Sequence, residues 1–176
     1  MSRPTVILVY FLLSALTLVP AAADISDASD DCNADLIETT PSSEFSVVAD
    51  GSVVRHDRTG LEWKRCPEGM DWTGSECSGS LLTMSWKAAL QHATNIDGDW
   101  RLPNVRELRS ILERCRHGPS VNTKVFPNTP GDYFWSASPS VRHSDRAWRV
   151  YFRTGVSTWP VSKVGDHGVR LVRGGS

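Results

Sequence analysis

WRLPNVRELRSILERC, residues 100–115, decides the fold of this chain. Pro103 fixes the direction of the backbone, and Asn104 directly after it can cap a helix by accepting bonds from free backbone N–H groups. Apolar residues then recur at the spacing of one helical face: Val105, Leu108, Ile111, Leu112 and Cys115. This pattern predicts a helix over 105–115, held mainly by its buried face and ended by His117-Gly118-Pro119.

The charged residues of this stretch favour a structural role. Arg101 can pair with a carboxylate such as Asp99 or Glu107, and Arg109 can pair with Glu113 on the helix. Helical charge pairs contribute only about 0.2–0.5 kcal/mol each, so they assist the fold without deciding it. We therefore assign the stretch to the scaffold of the domain and not to a binding site.

A second helix precedes this one in the chain. Ser85 can cap it, and Trp86, Ala89, Leu90 and Ala93 then share one face. The pattern predicts a helix that ends near Ile96, before the Asp97-Gly98 turn.

Short strands flank the two helices. The predicted strands cover 45–48, 53–54, 61–64, 133–135, 147–152 and 169–172. The Asp50-Gly51 dipeptide favours a tight turn, so the first two strands form a hairpin and the third continues it as a meander. In 147–152, Trp148 and Val150 share an apolar face while Arg149 lies opposite. The sequence thus predicts the α+β class.

The first 23 residues have the layout of a secretory signal peptide. Arg3 supplies the positive charge, 6–19 is uncharged, and small residues up to Ala23 suit cleavage before Asp24. The apolar run is shorter than the roughly 20 residues of a membrane-spanning helix. We therefore expect export to the periplasm, the cell surface or the medium, with no membrane insertion after cleavage.

The remaining chain divides into an acidic arm, 24–44, and one domain, 45–176. Residues 24–50 contain eight Asp or Glu and no Lys or Arg, whereas 141–176 contain seven Lys or Arg against two Asp. Such asymmetry indicates either a basic surface that meets an anionic partner or a solvated face that balances the arm.

Four cysteines in an exported chain of this size predict two disulfides. Three pairings are possible. Cys66 and Cys77 flank a loop rich in Gly and Pro that can close locally, so we predict this bond together with Cys32–Cys115. A metal site is disfavoured because no Cys-x-x-Cys spacing occurs.

Five phrases of the sequence resemble one family. They are TGLEWK at 59–64, WRLPN at 100–104, FPNT at 126–129, WSAS at 135–138 and VRLVRGG at 169–175. Their order resembles the DUF1566 family, also called the Lcl C-terminal domain, over about 45–175. The resemblance implies a C-type lectin-like domain with two helices and small antiparallel sheets whose first and last strands pair. It also implies attachment to sulfated glycosaminoglycans or related anionic polysaccharides.

The chain departs from the adhesin that gives the family its name, because it contains no Gly-x-y collagen repeat. Trimer formation and surface display through that repeat are therefore not implied. The calcium-dependent sugar motifs Glu-Pro-Asn and Gln-Pro-Asp are also absent. We accordingly expect no metal and no cofactor.

The C-terminal third holds the candidate binding site. The predicted ligand-binding residues are Arg142, Arg146, Arg149, Arg153, Lys163 and Trp159, with His143 beside them. Guanidinium groups match sulfate and carboxylate oxygens in bidentate geometry, so several on one face can hold an anionic polymer. An ordinary solvated surface is the alternative. Of the seven tryptophans, Trp72 and Trp159 are the better candidates for exposed stacking, with burial as the alternative for each, and the others are assigned to the core.

Catalytic motifs for a serine hydrolase, a zinc protease or a phosphate-binding loop are absent from the sequence. We predict no catalytic residues and a binding or adhesion module for an anionic polysaccharide, without nucleic acid. One alternative is a protein-interaction component of a pilus or secretion apparatus. Another is an enzyme: an oxidase like the formylglycine-generating enzymes, which need reactive cysteines, or a glycan hydrolase using Asp97 and Asp99.

Overall fold

The structure is a computed structural model that describes residues 32–33, 35–157 and 159–175. The predicted signal peptide, its cleavage site and the first part of the acidic arm lie outside the described residues. The elements are α+β, with two helices and mixed, mainly antiparallel sheets.

The predicted meander is confirmed and is completed by the last strand of the chain. Its strands are β1 (Phe45–Val48), β2 (Val53–His56), β3 (Leu61–Lys64) and β12 (Val172–Gly174), in the order β1-β2-β3-β12. The last strand therefore pairs with β3, and the expected pairing of the first and last strands is wrong. The position of the last strand explains the difference, because this strand lies between two partners. Val172 pairs with Trp63 on one side and bridges to Arg101 on the other.

A larger sheet forms the second layer. It contains β6 (Thr83–Met84), β7 (Tyr133–Pro139), β8 (Arg146–Tyr151), β9 (Val156–Ser157), β10 (Val161–Ser162) and β11 (His167–Gly168). The order is β10-β8-β7-β11-β6, and β9 also pairs with β8. The strands predicted over 133–135 and 147–152 are thus found as β7 and β8.

The strand predicted over 169–172 is wrong for three of its four residues, since only Val172 lies in a strand. Residues 169–171 run irregularly beside 64–68, where the carbonyls of Val169 and Leu171 accept bonds from Glu68 N and Lys64 N. Backbone bonds are therefore made without a regular ladder.

Two short strands, β4 (Met70–Trp72) and β5 (Cys77–Gly79), form a separate hairpin. The Cys66–Cys77 disulfide closes it across 11 residues, and Cys32–Cys115 joins residues 83 apart. Both predicted disulfides are confirmed, and two such bonds fit an oxidising compartment. No helix in the described part of the chain is long and apolar enough to cross a membrane.

The two helices begin where the capping residues predict. Helix α1 (Trp86–Thr94) has Ser85 Oγ accepting from Ala88 N at 3.4 Å, and α2 (Val105–Ser110) begins with a capping box of Asn104 and Glu107. However, α2 ends at Ser110, so the prediction that it reaches Cys115 is wrong.

The helix ends early because the chain turns Glu113 into the interior. Leu112 bridges to Val121, and Glu113 is completely buried, so the predicted Arg109–Glu113 pair does not form. The Glu113 carboxylate accepts bonds from the backbone N–H groups of Thr39 and Thr40 at 2.7–3.0 Å, and from both threonine hydroxyls. Burial raises the pKa of Glu113, but these backbone donors outweigh it and hold the pKa below its usual value. The acidic arm is thereby fastened to the domain.

The core consists of two clusters of apolar side chains. The first joins the meander to α2 and the large sheet through buried side chains such as Trp63, Leu108 and Phe126. The second lies between α1 and the large sheet around Trp135 and Leu171. Trp63 and Trp135 thus confirm their assignment to the core.

Candidate functional site

A groove of about 500 Å³ lies at one edge of the large sheet. We call it the basic groove, and its lining residues are Ser140, Val141, Arg142, His143, Arg146, Trp148, Trp159 and Pro160. One wall is the turn between β7 and β8. The other is formed by Trp159 and Pro160, which precede β10, a short strand that pairs with β8 as β9 does.

The apolar surface of the basic groove is unusually open. Val141 is fully exposed and Trp159 is 85% exposed, although burial of such side chains would favour folding. The predicted exposure of Trp159 is confirmed. Trp148 was assigned to the core, but it is only partly buried and lines the groove. This assignment is wrong because the register between β7 and β8 shifts between Trp135 and Pro139, which buries Ala147 and Val150 instead.

The cations of the basic groove have no carboxylate among the lining residues. Arg142, His143 and Arg146 are exposed, and none makes a side-chain hydrogen bond or ion pair with another described residue. The Ser140 hydroxyl shapes the turn by accepting bonds from the backbone N–H groups of Arg142 and His143. Arg142 thus lies on a turn shaped by Ser140, Arg146 begins β8, and both side chains are exposed.

The remaining cations of the predicted site have other neighbours. Lys163 Nζ donates to the Ser144 carbonyl at 2.6 Å and lies 4.3 Å from the centre of the Trp86 ring. It therefore adjoins the turn that carries the groove without lining the groove. Arg153 is exposed in the turn after β8, where a Cβ added to Gly131 would come within 3.3 Å of its Cβ.

Arg149 belongs to an aromatic cluster. Its guanidinium lies 3.6 Å from the centre of the Tyr133 ring, which stacks on Tyr151, and Nη1 donates to His167 Nε2 at 2.7 Å. Burial, followed by the charge of Arg149, lowers the pKa of His167 to about 4. The His167 ring is therefore neutral at pH 7 and can accept this bond. The predicted cluster of six cations is thus divided among several places.

A second cleft, of about 420 Å³, lies between the meander and the β4–β5 hairpin. We call it the indole cleft because Trp72 and Trp100 line it, together with Lys64, Glu68, Asp71 and Arg173. Three of these residues, Lys64, Trp100 and Arg173, lie in the phrases 59–64, 100–104 and 169–175. The sequence analysis did not predict this cleft. The available signal was that these three phrases belong to one family pattern and could lie close together in the fold.

Most charges of the indole cleft are paired. Lys64 Nζ donates to Glu68 at 2.8 Å, His92 Nε2 lies 2.6 Å from the other oxygen of Glu68, and Arg173 Nε donates to Glu62 at 2.7 Å. The Arg173 guanidinium also lies 4.6 Å from the centre of the Trp100 ring. Trp72, one of the two candidates for exposed stacking, is partly buried, and the Arg65 guanidinium covers its ring at 4.2 Å from the ring centre.

Two further arginines of these phrases are structural. Arg101 forms a bidentate pair with Glu107 at 2.7 and 2.8 Å, which confirms the predicted partner. Arg170 is fully buried and donates to the carbonyls of Lys64 and Arg65 and to the Thr129 hydroxyl. It joins the closing segment to the meander without a carboxylate partner among the described residues.

The residues named for the enzymatic alternatives are cysteines that are bridged and aspartates that are exposed. All four cysteines are in disulfides. Asp97 and Asp99 are exposed in the turn before Trp100, and neither side chain bonds to a described residue. They lie outside the lining of both clefts.

The comparisons with known proteins agree with the five phrases. No curated protein matches the chain. The family model described as the Lcl C-terminal domain matches residues 52–173, which include β2 and β3 of the meander, both helices, most of β12 and nearly all residues that line the basic groove and the indole cleft. This match spans well over half of the sequence, and the chain therefore belongs to the Lcl C-terminal domain family.

Proposed function

We propose that the chain is an exported, non-enzymatic binding module with a C-type lectin-like domain that attaches to an anionic polysaccharide through the basic groove. The layout of residues 1–23 and the two disulfides support export. The family resemblance supports the ligand class. The groove supplies the chemistry.

The composition of the basic groove is the observation that carries the proposal. Arg142 and Arg146 form no ion pair with a carboxylate among the described residues, so both guanidinium groups are available to sulfate or carboxylate groups. Trp159 offers a flat, exposed ring on which a sugar can stack. Arg149 and Arg153 are left out of the site because their neighbours lie elsewhere, and Lys163 is left out because it bonds to the Ser144 carbonyl and lies over the Trp86 ring without lining the groove.

Two alternative functions, an enzyme with a reactive thiol and a protein-interaction component, can be compared with this proposal. Thiol chemistry of the formylglycine-generating type needs a free cysteine, and no described cysteine is free. A surface protein bound as the partner would also contact the exposed Trp159, but this binding would not require a sulfated ligand. The two partners therefore separate by their response to sulfated sugar and to salt.

Retention on immobilised heparin tests the proposal. We expect the purified protein to bind at low ionic strength and to elute as salt rises, because exposed charges are screened above about 0.1 M salt. The double variant Arg142→Ala/Arg146→Ala should elute at markedly lower salt. Trp159→Ala should weaken binding without changing its salt dependence.

A matched control removes the same charge elsewhere. Arg106→Ala/Arg109→Ala takes two exposed guanidinium groups from α2, outside the basic groove, and should elute close to the wild type. Equal losses for both double variants would reduce the interaction to net charge and reject the groove. A wild-type protein that passes through at low salt would reject the anionic glycan.

A further inference from the structure

The indole cleft has the size of a ligand site and the wrong charge for an anion. Its volume of about 420 Å³ falls in the range of about 300–1,000 Å³ common for small-molecule sites. Lys64 and Arg173 are balanced within the lining by Glu68 and Asp71. A polyanion would lose its hydration here without finding an unpaired cation, so an uncharged ligand fits better.

The polar groups at the indole cleft provide both donors and acceptors. Lys64 has three N–H donors and uses one of them on Glu68, while Asp71 is exposed and its carboxylate bonds to no described residue. Each hydroxyl of a sugar donates one bond and accepts others. Polyhydroxylated rings therefore match this mixed lining, whereas a proline-rich peptide, which offers mainly carbonyl acceptors, would leave Asp71 unused.

The Trp72 ring is held in place by residues that do not line the cleft. The Arg65 guanidinium lies 4.2 Å from the centre of the Trp72 ring and donates to the carbonyls of Val125 and Lys124, at 2.9 and 2.8 Å. Gly51 lies against the ring edge, where an added Cβ would come within 3.0 Å of Trp72 Nε1. A ring fixed this way loses little freedom when a ligand stacks on it.

We propose that the indole cleft binds an uncharged hexopyranose unit, stacked on Trp72 and hydrogen-bonded by Lys64 and Asp71. This site is separate from the basic groove, and it stands whether or not the groove binds an anionic polysaccharide. Because the ligand is neutral, its binding is insensitive to salt, in contrast to retention on heparin.

Saturation-transfer NMR on the purified full chain tests the proposal with three neutral probes, cellotetraose, maltotetraose and chitotetraose. At least one should receive saturation, with equal intensity in 0.05 and 0.5 M salt. Trp72→Ala should weaken that binding about tenfold, as expected for loss of one aromatic contact. Asp71→Asn, which leaves the ring in place, should weaken it as well, so a destabilised Trp72→Ala variant would not leave the question open.

The exposed tryptophan of the other site supplies the control. Trp159→Ala should bind the neutral sugar like the wild type, and Trp72→Ala should keep its retention on heparin. The proposal is rejected if none of the three probes receives saturation or if binding falls with salt. It is also rejected if Asp71→Asn has no effect, or if a decaproline peptide displaces the bound probe and binds more tightly.

Discussion

The basic groove and the indole cleft both combine tryptophan with cationic side chains, but they treat charge in opposite ways. In the groove, Arg142 and Arg146 have no carboxylate partner among the described residues. In the cleft, Lys64 and Arg173 donate to Glu68 and Glu62 at 2.8 and 2.7 Å. Composition alone does not distinguish the two places. The pairing of a charge thus decides whether it is balanced within the fold or remains available to a charged partner.

The largest effect is expected where a charge is entirely used by the fold. Glu113→Ala removes the acceptor of the Thr39 and Thr40 N–H groups and leaves buried donors unsatisfied, at about 1–3 kcal/mol each. We expect the free energy of unfolding to fall by at least about 3 kcal/mol in urea denaturation. Asp35→Ala, an exposed carboxylate of the same arm, should leave it within about 0.5 kcal/mol of the wild type.

If Glu113→Ala unfolds at the wild-type urea concentration, the arm is not fastened by this carboxylate. Measuring both variants with the disulfides intact keeps the contribution of Cys32–Cys115 constant. The distinction between a used and an available charge would then lose its clearest example.

An intermediate effect is expected on acidification, through His167. Its folded pKa of about 4 lies below the unfolded value of about 6.5, so only the unfolded state takes up the proton between these values. The stabilisation is complete above pH 6.5 and is lost as the pH falls toward 4. After allowance for solvent screening, the loss is about 1–2 kcal/mol.

Urea denaturation at pH 7, 6 and 5 measures this slope before most carboxylates titrate. His167→Gln should flatten it, because the residue no longer takes up a proton. His143→Gln, a change at an exposed histidine of the basic groove, should keep the wild-type slope. Identical slopes for all three proteins would assign the pH dependence to other groups.

The smallest effect on stability is expected in the groove itself. Arg142→Ala/Arg146→Ala removes no hydrogen bond or ion pair to a described residue, so the free energy of unfolding should change by less than about 0.5 kcal/mol. Thermal denaturation followed by circular dichroism checks this, beside the retention of the same variant on heparin. A large loss of stability would show that these charges are also used by the fold.

Local signals made much of the fold predictable. Ser85 and Asn104 mark the helix starts because a cap is a contact between residues two or three apart. The Asp50-Gly51 turn similarly fixed the first hairpin. The Cys66–Cys77 bond closes a short loop, which is why its pairing could be inferred.

Long-range contacts account for what the sequence did not reveal. The end of α2 depends on bonds that Thr39, 74 residues away, donates to the Glu113 carboxylate, and no helical pattern encodes them. The place of Trp148 in the groove depends on the shift in register between β7 and β8, which the alternation of residues in β8 does not reveal. The cleft around Trp100 requires residues from β3, the hairpin and the last strand to meet, so only the folded chain shows it.

The shortness of the edge strands β9 and β10 determines how a partner can approach the large sheet. An unbroken edge strand exposes a row of N–H and C=O groups that invites another strand, whatever its sequence. Here the edge is two pieces of two residues each, and Pro160 between them has no N–H to offer. Backbone-to-backbone addition is thereby discouraged at the place where Trp159 stands out. Under the proposed function, recognition at this edge depends on side-chain chemistry, which can select one partner and disfavour self-assembly.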